Sequence, residues 1–164
     1  MIVISDTSPL RYLIETDLVH ILETLFGKVI IPQTVFGELQ QPKTPQKVKN
    51  WISKHPVWLE VRQADLSAFT PRKKIGQGER EAFALALEIN GAAVLLDDRG
   101  AMVEARRHNI TTIPTFAILE QAAARDLIDM PQAVAAMRQT SFRLPPEADI
   151  DVMLERDRQK KQAR

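Results

Sequence analysis

Five short apolar runs punctuate this chain: Ile2-Val3-Ile4, Val29-Ile30-Ile31, Val57–Val61, Ala92–Leu96 and Ile110–Ile113. Each is rich in the β-branched and aliphatic residues that suit a pleated, buried surface. Between them the apolar residues recur at helical intervals. Leu10, Leu13, Ile14, Leu18, Ile21, Leu22 and Leu25 form the first such series, with Asp17 a candidate start for a second helix and Gly27 a stop. Thr34–Gln41, Val48–His55 and Met102–His108 follow the same rule. So does the segment from Gly78 to Asn90-Gly91, with Ala82, Phe83, Leu85, Ala86 and Ile89 facing inward. Ala64–Gly78 reads as a polar, basic loop that opens with a short helix. Phe116–Arg125, Pro131–Gln139 and Ile150–Lys161 complete the helical segments. Strands that alternate with helices predict an α/β fold with a central parallel sheet. No repeat or low-complexity segment interrupts it.

At 164 residues the chain suits one domain with a substantial core. The expected boundaries are a domain over residues 1–140 and a charged, partly helical tail over 141–164. There are no cysteines, which excludes disulfides, thiolate metal sites and Cys nucleophiles. No apolar run approaches the roughly 18 residues of a membrane span. Nor does a basic segment followed by an apolar one open the chain. A cytoplasmic protein beginning near Met1, with no membrane partner, is the expectation. The net charge of +1 does not argue for nucleic acid. Local basic clusters stand out at Lys43–Lys54, Arg72-Lys73-Lys74, Arg106-Arg107-His108 and Arg156–Arg164, where solvated faces are the ordinary explanation.

The chemistry lies where the strands end. Asp6 closes the first strand and is followed by Thr7, Ser8 and Pro9, so it is either a helix cap or a working carboxylate. Asp97-Asp98 closes the AAVLL strand in the same way. Glu38 follows the second strand by about two helical turns, and Glu79 and Glu81 open a helix. In a parallel sheet these positions share the edge at which α/β proteins bind ligands. Carboxylates gathered there repel one another and do not all ionise unaided. A divalent cation removes the conflict, and oxygen ligands without His or Cys select Mg²⁺ or Mn²⁺ over Zn²⁺. Such a site can activate water and stabilise a phosphodiester under in-line attack.

Four motifs stand in order: VISDTSPL, IIPQTVFGEL, GQGEREAFALA and AVLLDDRGA, the last followed by a helix and NITTIPT. Together they resemble the PIN-domain family over about Ile2–Leu127, and most closely its VapC-like branch of small bacterial and archaeal toxins. The resemblance implies a Rossmann-like three-layer α/β/α sandwich and a Mg²⁺- or Mn²⁺-dependent ribonuclease. Carried over by motif, the catalytic and metal-holding residues are Asp6, Glu38, Glu81 and Asp98. Glu79 and Glu81 diverge by roughly 200° around a helix. Glu81 directly precedes the apolar run, where the family's acid usually lies, so Glu79 is left as a partner of the helix dipole. Asp97 is a second ligand or water holder, Thr7 or Ser8 a hydrogen-bond partner of Asp6, and Arg99 a phosphate-steering or carboxylate-pairing group. The implied partners are an RNA substrate, a small antitoxin protein and a second copy of the chain.

Other readings of these residues are weaker. Gly76-Gln77-Gly78 lacks the strand and third glycine of a dinucleotide loop. His20, His55 and His108 have no ligand spacing, and Trp51 and Trp58 suit packing better than base stacking. An aspartyl-phosphate phosphatase would also place an Asp after the first strand, but needs a second Asp where Ser8 stands. A degenerate module that binds RNA or protein without cutting is the non-enzymatic alternative.

Overall fold

The apolar runs become strands that lie side by side and all point the same way. The computed structural model describes residues 1–164. They form two units, Met1–Thr115 and Phe116–Arg164. In the first, β1 (Val3–Ser5), β2 (Val29–Pro32), β3 (Leu59–Arg62), β4 (Ala93–Leu95) and β5 (Thr112–Ile113) make one sheet in the order β3-β2-β1-β4-β5. Every pairing is parallel, with Val3 beside both Val29 and Ala93. The helices between them are α1 (Thr7–Glu15), α2 (Ile21–Phe26), α3 (Gln33–Glu38), α4 (Gln46–Ser53), α5 (Gln77–Glu88) and α6 (Arg99–Arg107). This is the α/β/α architecture of a PIN-like fold.

Alternation along the strands supplies both faces of the sheet. Ile4, Ile30 and Val94 join a core with Ala82, Phe83 and Leu85 of α5 and Ala101 and Ala105 of α6. Val3, Val29, Ile31 and Leu95, one residue out of phase, are equally buried and face the other layer. A sheet buried on both faces explains why the strands read as continuous apolar runs. Each fully buried Phe or Leu here stabilises the fold by about 1.5–3 kcal/mol. The edges are blunted: β5 has two residues, and β3 carries Glu60 between Lys28 and Arg62.

Three local departures from the sequence expectation have physical causes. The first helical series breaks at Asp17, which adopts a left-handed conformation (φ 60°) and pairs with Lys47 at 2.8 Å. Helix α6 starts at Arg99, earlier than expected, because the Asp98 carboxylate accepts the Ala101 amide at 2.8 Å and caps it. The basic loop after β3 is anchored by the buried ring of Phe69, packed edge-on to Phe83 with centroids 5.6 Å apart.

The second unit holds α7 (Thr115–Ala124, whose first residue belongs to the first unit), α8 (Met130–Arg138) and α9 (Glu147–Gln162). Within it, Phe116 stacks on Phe142, and the Arg138 guanidinium forks onto Glu147 at 2.5 and 2.8 Å. The Arg156–Glu120 pair ties α9 to α7, and the Lys161–Asp129 pair ties it to the residue that caps α8. No helix of the chain is long and apolar enough to cross a membrane.

Candidate active site

The site begins where β1 ends. The Asp6 amide donates to the Leu95 carbonyl at 3.0 Å, carrying the β1–β4 pairing one residue further. Asp6 is therefore held between the two strands at which the sheet order changes direction, outside their carboxyl ends. That crevice is the usual ligand position of an open α/β sheet. Although Asp6 precedes α1, its side chain forms no helix cap. It is 8% exposed.

Three further carboxylates surround it. Glu38, the last residue of α3, accepts a hydrogen bond from the Thr7 hydroxyl. Glu79 lies in the first turn of α5 and accepts the Gly76 amide at 2.5 Å. Asp97 follows β4 and is gripped by Thr115, amide at 2.8 Å and hydroxyl at 2.7 Å. That grip ties the carboxyl ends of β4 and β5 together. Gly78 lets α5 come close. A methyl group in its place would stand 3.3 Å from Asp6 Oδ1, 3.4 Å from Glu38 Oε1 and 3.2 Å from Val35 Cγ2.

The charges register one another. The Asp6 carboxyl is pushed up to about 7, first by burial and next by the negative charge of Glu79. Glu38 and Asp97 add to that push, while the Thr7 amide opposes it. Glu79 is raised as well, chiefly by burial, with Asp98 and Glu38 contributing and the Gly76 amide opposing. Burial also raises Asp97, against hydrogen bonds from Thr115 and the Ser8 hydroxyl.

The structure separates the neighbours that the motifs left paired. Glu81 is turned toward Thr34, accepting its amide at 3.1 Å and its hydroxyl at 2.6 Å, and it also receives Gln77. Glu79, in the same helix, faces the Asp6 cluster. Asp98 is exposed and caps α6, whereas Asp97 is half-buried and adds its charge at Asp6. Ser8 serves Asp97, and Thr7 serves Glu38. Arg99 is exposed at the first turn of α6. The supporting roles of Thr34, Gly78 and Thr115 are not visible in the sequence, although all three lie within the motifs. Thr115 stood within the NITTIPT motif, but its partner could not be read there.

A family model described as a PIN domain matches residues 2–155. The chain belongs to the PIN-domain family. PIN domains are generally metal-dependent nucleases, so the fold is of nuclease type. Among solved structures, this PIN domain is similar to a PilT N-terminus domain protein, SSO1118, from the hyperthermophilic archaeon Sulfolobus solfataricus P2. The TM-score is 0.53 at 18% identity, covering 74% of this chain and 93% of that one. The likeness is one of fold. Among curated proteins no match was found.

In this PIN domain no three acidic or His side chains are drawn into a closed ligand set. Gly78 offers a way to probe the cluster without altering a charge. Ala at this helical position gains about 1 kcal/mol in propensity, offset by about 1–3 kcal/mol of overpacking against Val35 and two carboxylates. Gly78→Ala is expected to melt within a few degrees of wild type, yet, if the cluster holds a divalent ion, to bind Mn²⁺ at least about tenfold more weakly. Calorimetric titration with Mn²⁺ checks it, and unchanged affinity would show that the close approach has no bearing on the cluster.

Proposed function

We propose that this protein is a Mg²⁺- or Mn²⁺-dependent endoribonuclease. The observation that carries the reading is Asp6. It is a carboxyl buried at the carboxyl edge of a parallel sheet, under the repulsion of Glu79, Glu38 and Asp97. Such crowding destabilises the protein unless a cation shares the charge. The donors are all oxygen, which suits a hard divalent ion. Asp6, Glu38, Glu79 and Asp97 would hold it. A cation bound there neutralises phosphodiester charge and lowers the pKa of water.

The chain's own residues do the rest. Thr7 orients the Glu38 carboxylate, and Thr115 and Ser8 orient that of Asp97. Outer partners of this kind fix ligand geometry. Glu81, bonded to Thr34, braces the start of α5 against the start of α3 and so acts through position. Ser8 also bears on the phosphatase alternative. It stands where that chemistry needs a second acid, and it is occupied with Asp97.

By the same resemblance, the nuclease would be the toxin of a toxin–antitoxin pair. It would work in the cytoplasm as a homodimer, with a small antitoxin reaching its acidic groove. A neighbouring reading frame encoding a small DNA-binding protein would support this.

The test is cleavage of total RNA with Mn²⁺ or Mg²⁺. Wild type should cut, and a chelator should stop it. Glu79→Gln should lose on the order of a hundredfold or more, as expected when a ligand rather than an outer partner is removed. Glu81→Gln should stay within about tenfold of wild type, the lower range for an outer partner. Equal losses would deny Glu79 its special place, and cutting that ignores the chelator would exclude the metal.

A further inference from the structure

The acidic cluster leaves one buried carboxylate unexplained. Glu104 of α6 is 0% exposed. A buried carboxylate is costly unless it is hydrogen-bonded and paired. Two of its partners come from its own helix end, Arg107 and His108, each at 3.2 Å. Those contacts could equally be made at the surface. The third is distant in sequence: the Arg72 amide donates to Glu104 Oε1 at 2.6 Å. This bond contributes most to holding the Glu104 carboxyl below the usual range. His108 is itself fixed against Phe69, with ring centroids 4.7 Å apart.

Arg72 opens the run Arg72-Lys73-Lys74. All three side chains are exposed, and the ion pairs of the structure use none of them. At the far end of the run, the Gly76 amide is held by Glu79. Two residues later Gly78 lies against the carboxylates of Asp6 and Glu38. The strap 72–76 is thus pinned at both ends by carboxylates on its backbone. One pin belongs to the acidic site and the other is Glu104.

We propose that Glu104 is a positioning residue that holds Arg72-Lys73-Lys74 as a clamp for the phosphate backbone of a single-stranded nucleic acid drawn to the acidic site. The proposal rests on the nuclease reading. A nest of carboxylates repels a polyanion, so cations must stand close by without collapsing onto the nest. Three cations on a loose loop would be drawn to their own site's carboxylates. Pinning the backbone keeps them apart, and it removes part of the ordering cost of binding.

The experiment uses the full chain carrying Asp6→Asn, so that the proposed cleavage does not consume the RNA. Binding of a fluorescent single-stranded oligoribonucleotide is titrated without divalent ions at several KCl concentrations. Adding Arg72→Ala, Lys73→Ala and Lys74→Ala should weaken binding and reduce the slope of log K against log salt by about 2, from three lost contacts on a single strand. These side chains are exposed, so folding is not at issue. Adding Glu104→Gln instead should weaken binding about fivefold with the slope unchanged, because the charges remain but are no longer pre-ordered. Amide exchange over residues 72–75 should quicken in that variant. A merely structural Glu104 would alter melting and leave the affinity of the folded protein alone. Parental affinity and slope in the triple variant would overturn the clamp. Parental affinity in Glu104→Gln, despite faster exchange, would overturn the positioning role. If the Asp6→Asn parent shows no salt-dependent RNA binding, the nucleic-acid reading itself falls.

Discussion

Asp6→Asn is expected to abolish divalent-dependent RNA cleavage, by on the order of a thousandfold or more. That exceeds the 10–100-fold typical of losing an outer-shell partner. The size follows from position. Asp6 is fixed by the sheet itself, through the Asp6–Leu95 backbone bond; Glu38 and Glu79 sit on helices that meet around it, and Asp97 follows β4. Asn matches the shape and keeps an acceptor oxygen, so the protein should fold. What disappears is the charge at the point where Glu79, Glu38 and Asp97 bear on one another. The measurement is initial cleavage rate on total RNA with Mn²⁺ and with Mg²⁺, with calorimetric titration of each ion alongside. Lost cleavage with unchanged ion affinity would mean that Asp6 acts on substrate and not on metal. Cleavage at the wild-type rate would remove Asp6 from the mechanism.

The second large effect is on stability against pH. In the folded chain Asp6 keeps its proton until about pH 7, against an ordinary value of 3.8. Between those values the folded state binds more protons than the unfolded state. Stability therefore falls as pH rises through that window, and the loss is complete above about 7. The difference corresponds to roughly 4 kcal/mol. Glu79 and Asp97 are displaced in the same direction. Glu60 and Glu104, held low by their partners, act the opposite way, but their contribution is already complete above about pH 5. Melting without divalent ions from pH 5.5 to 8.5 should therefore show a falling temperature. Asp6→Asn should flatten the curve and lie above wild type at pH 8. Mn²⁺ should restore wild type at pH 8, by about 2.7 kcal/mol at a hundred times its dissociation constant, and leave Asp6→Asn unmoved. A flat wild-type profile would contradict the crowding on which the site is built.

Much of this could be read before any coordinates. Apolar runs followed at once by acids placed Asp6 and Asp97-Asp98 at one sheet edge, because strand order matters less than strand direction for that inference. What sequence could not decide was which member of a pair faces inward. A spacing of two says that Glu79 and Glu81 diverge, not which of them meets Asp6. The structure turns Glu81 aside through Thr34, a residue of another helix. Similarly, Asp97 is claimed by Thr115 across the sheet and Asp98 by its own helix. Helical periodicity marks Glu104 as one more charge between Val103 and Ala105, and nothing in the string links it to Arg72. Phe69 lies in a run so polar that its burial is visible only once α5 and α6 are in place.

The sheet order has a consequence for how such a protein is made. β1 leaves the ribosome first, yet its neighbour on one side, β4, is encoded some ninety residues later. Asp6 cannot take its final seat until Leu95 is available, nor Asp97 until Thr115 has emerged. A nascent chain therefore holds these carboxylates apart until the segment through Thr115 has emerged. The acidic cluster is thus a late product of folding, assembled only when the sheet can close.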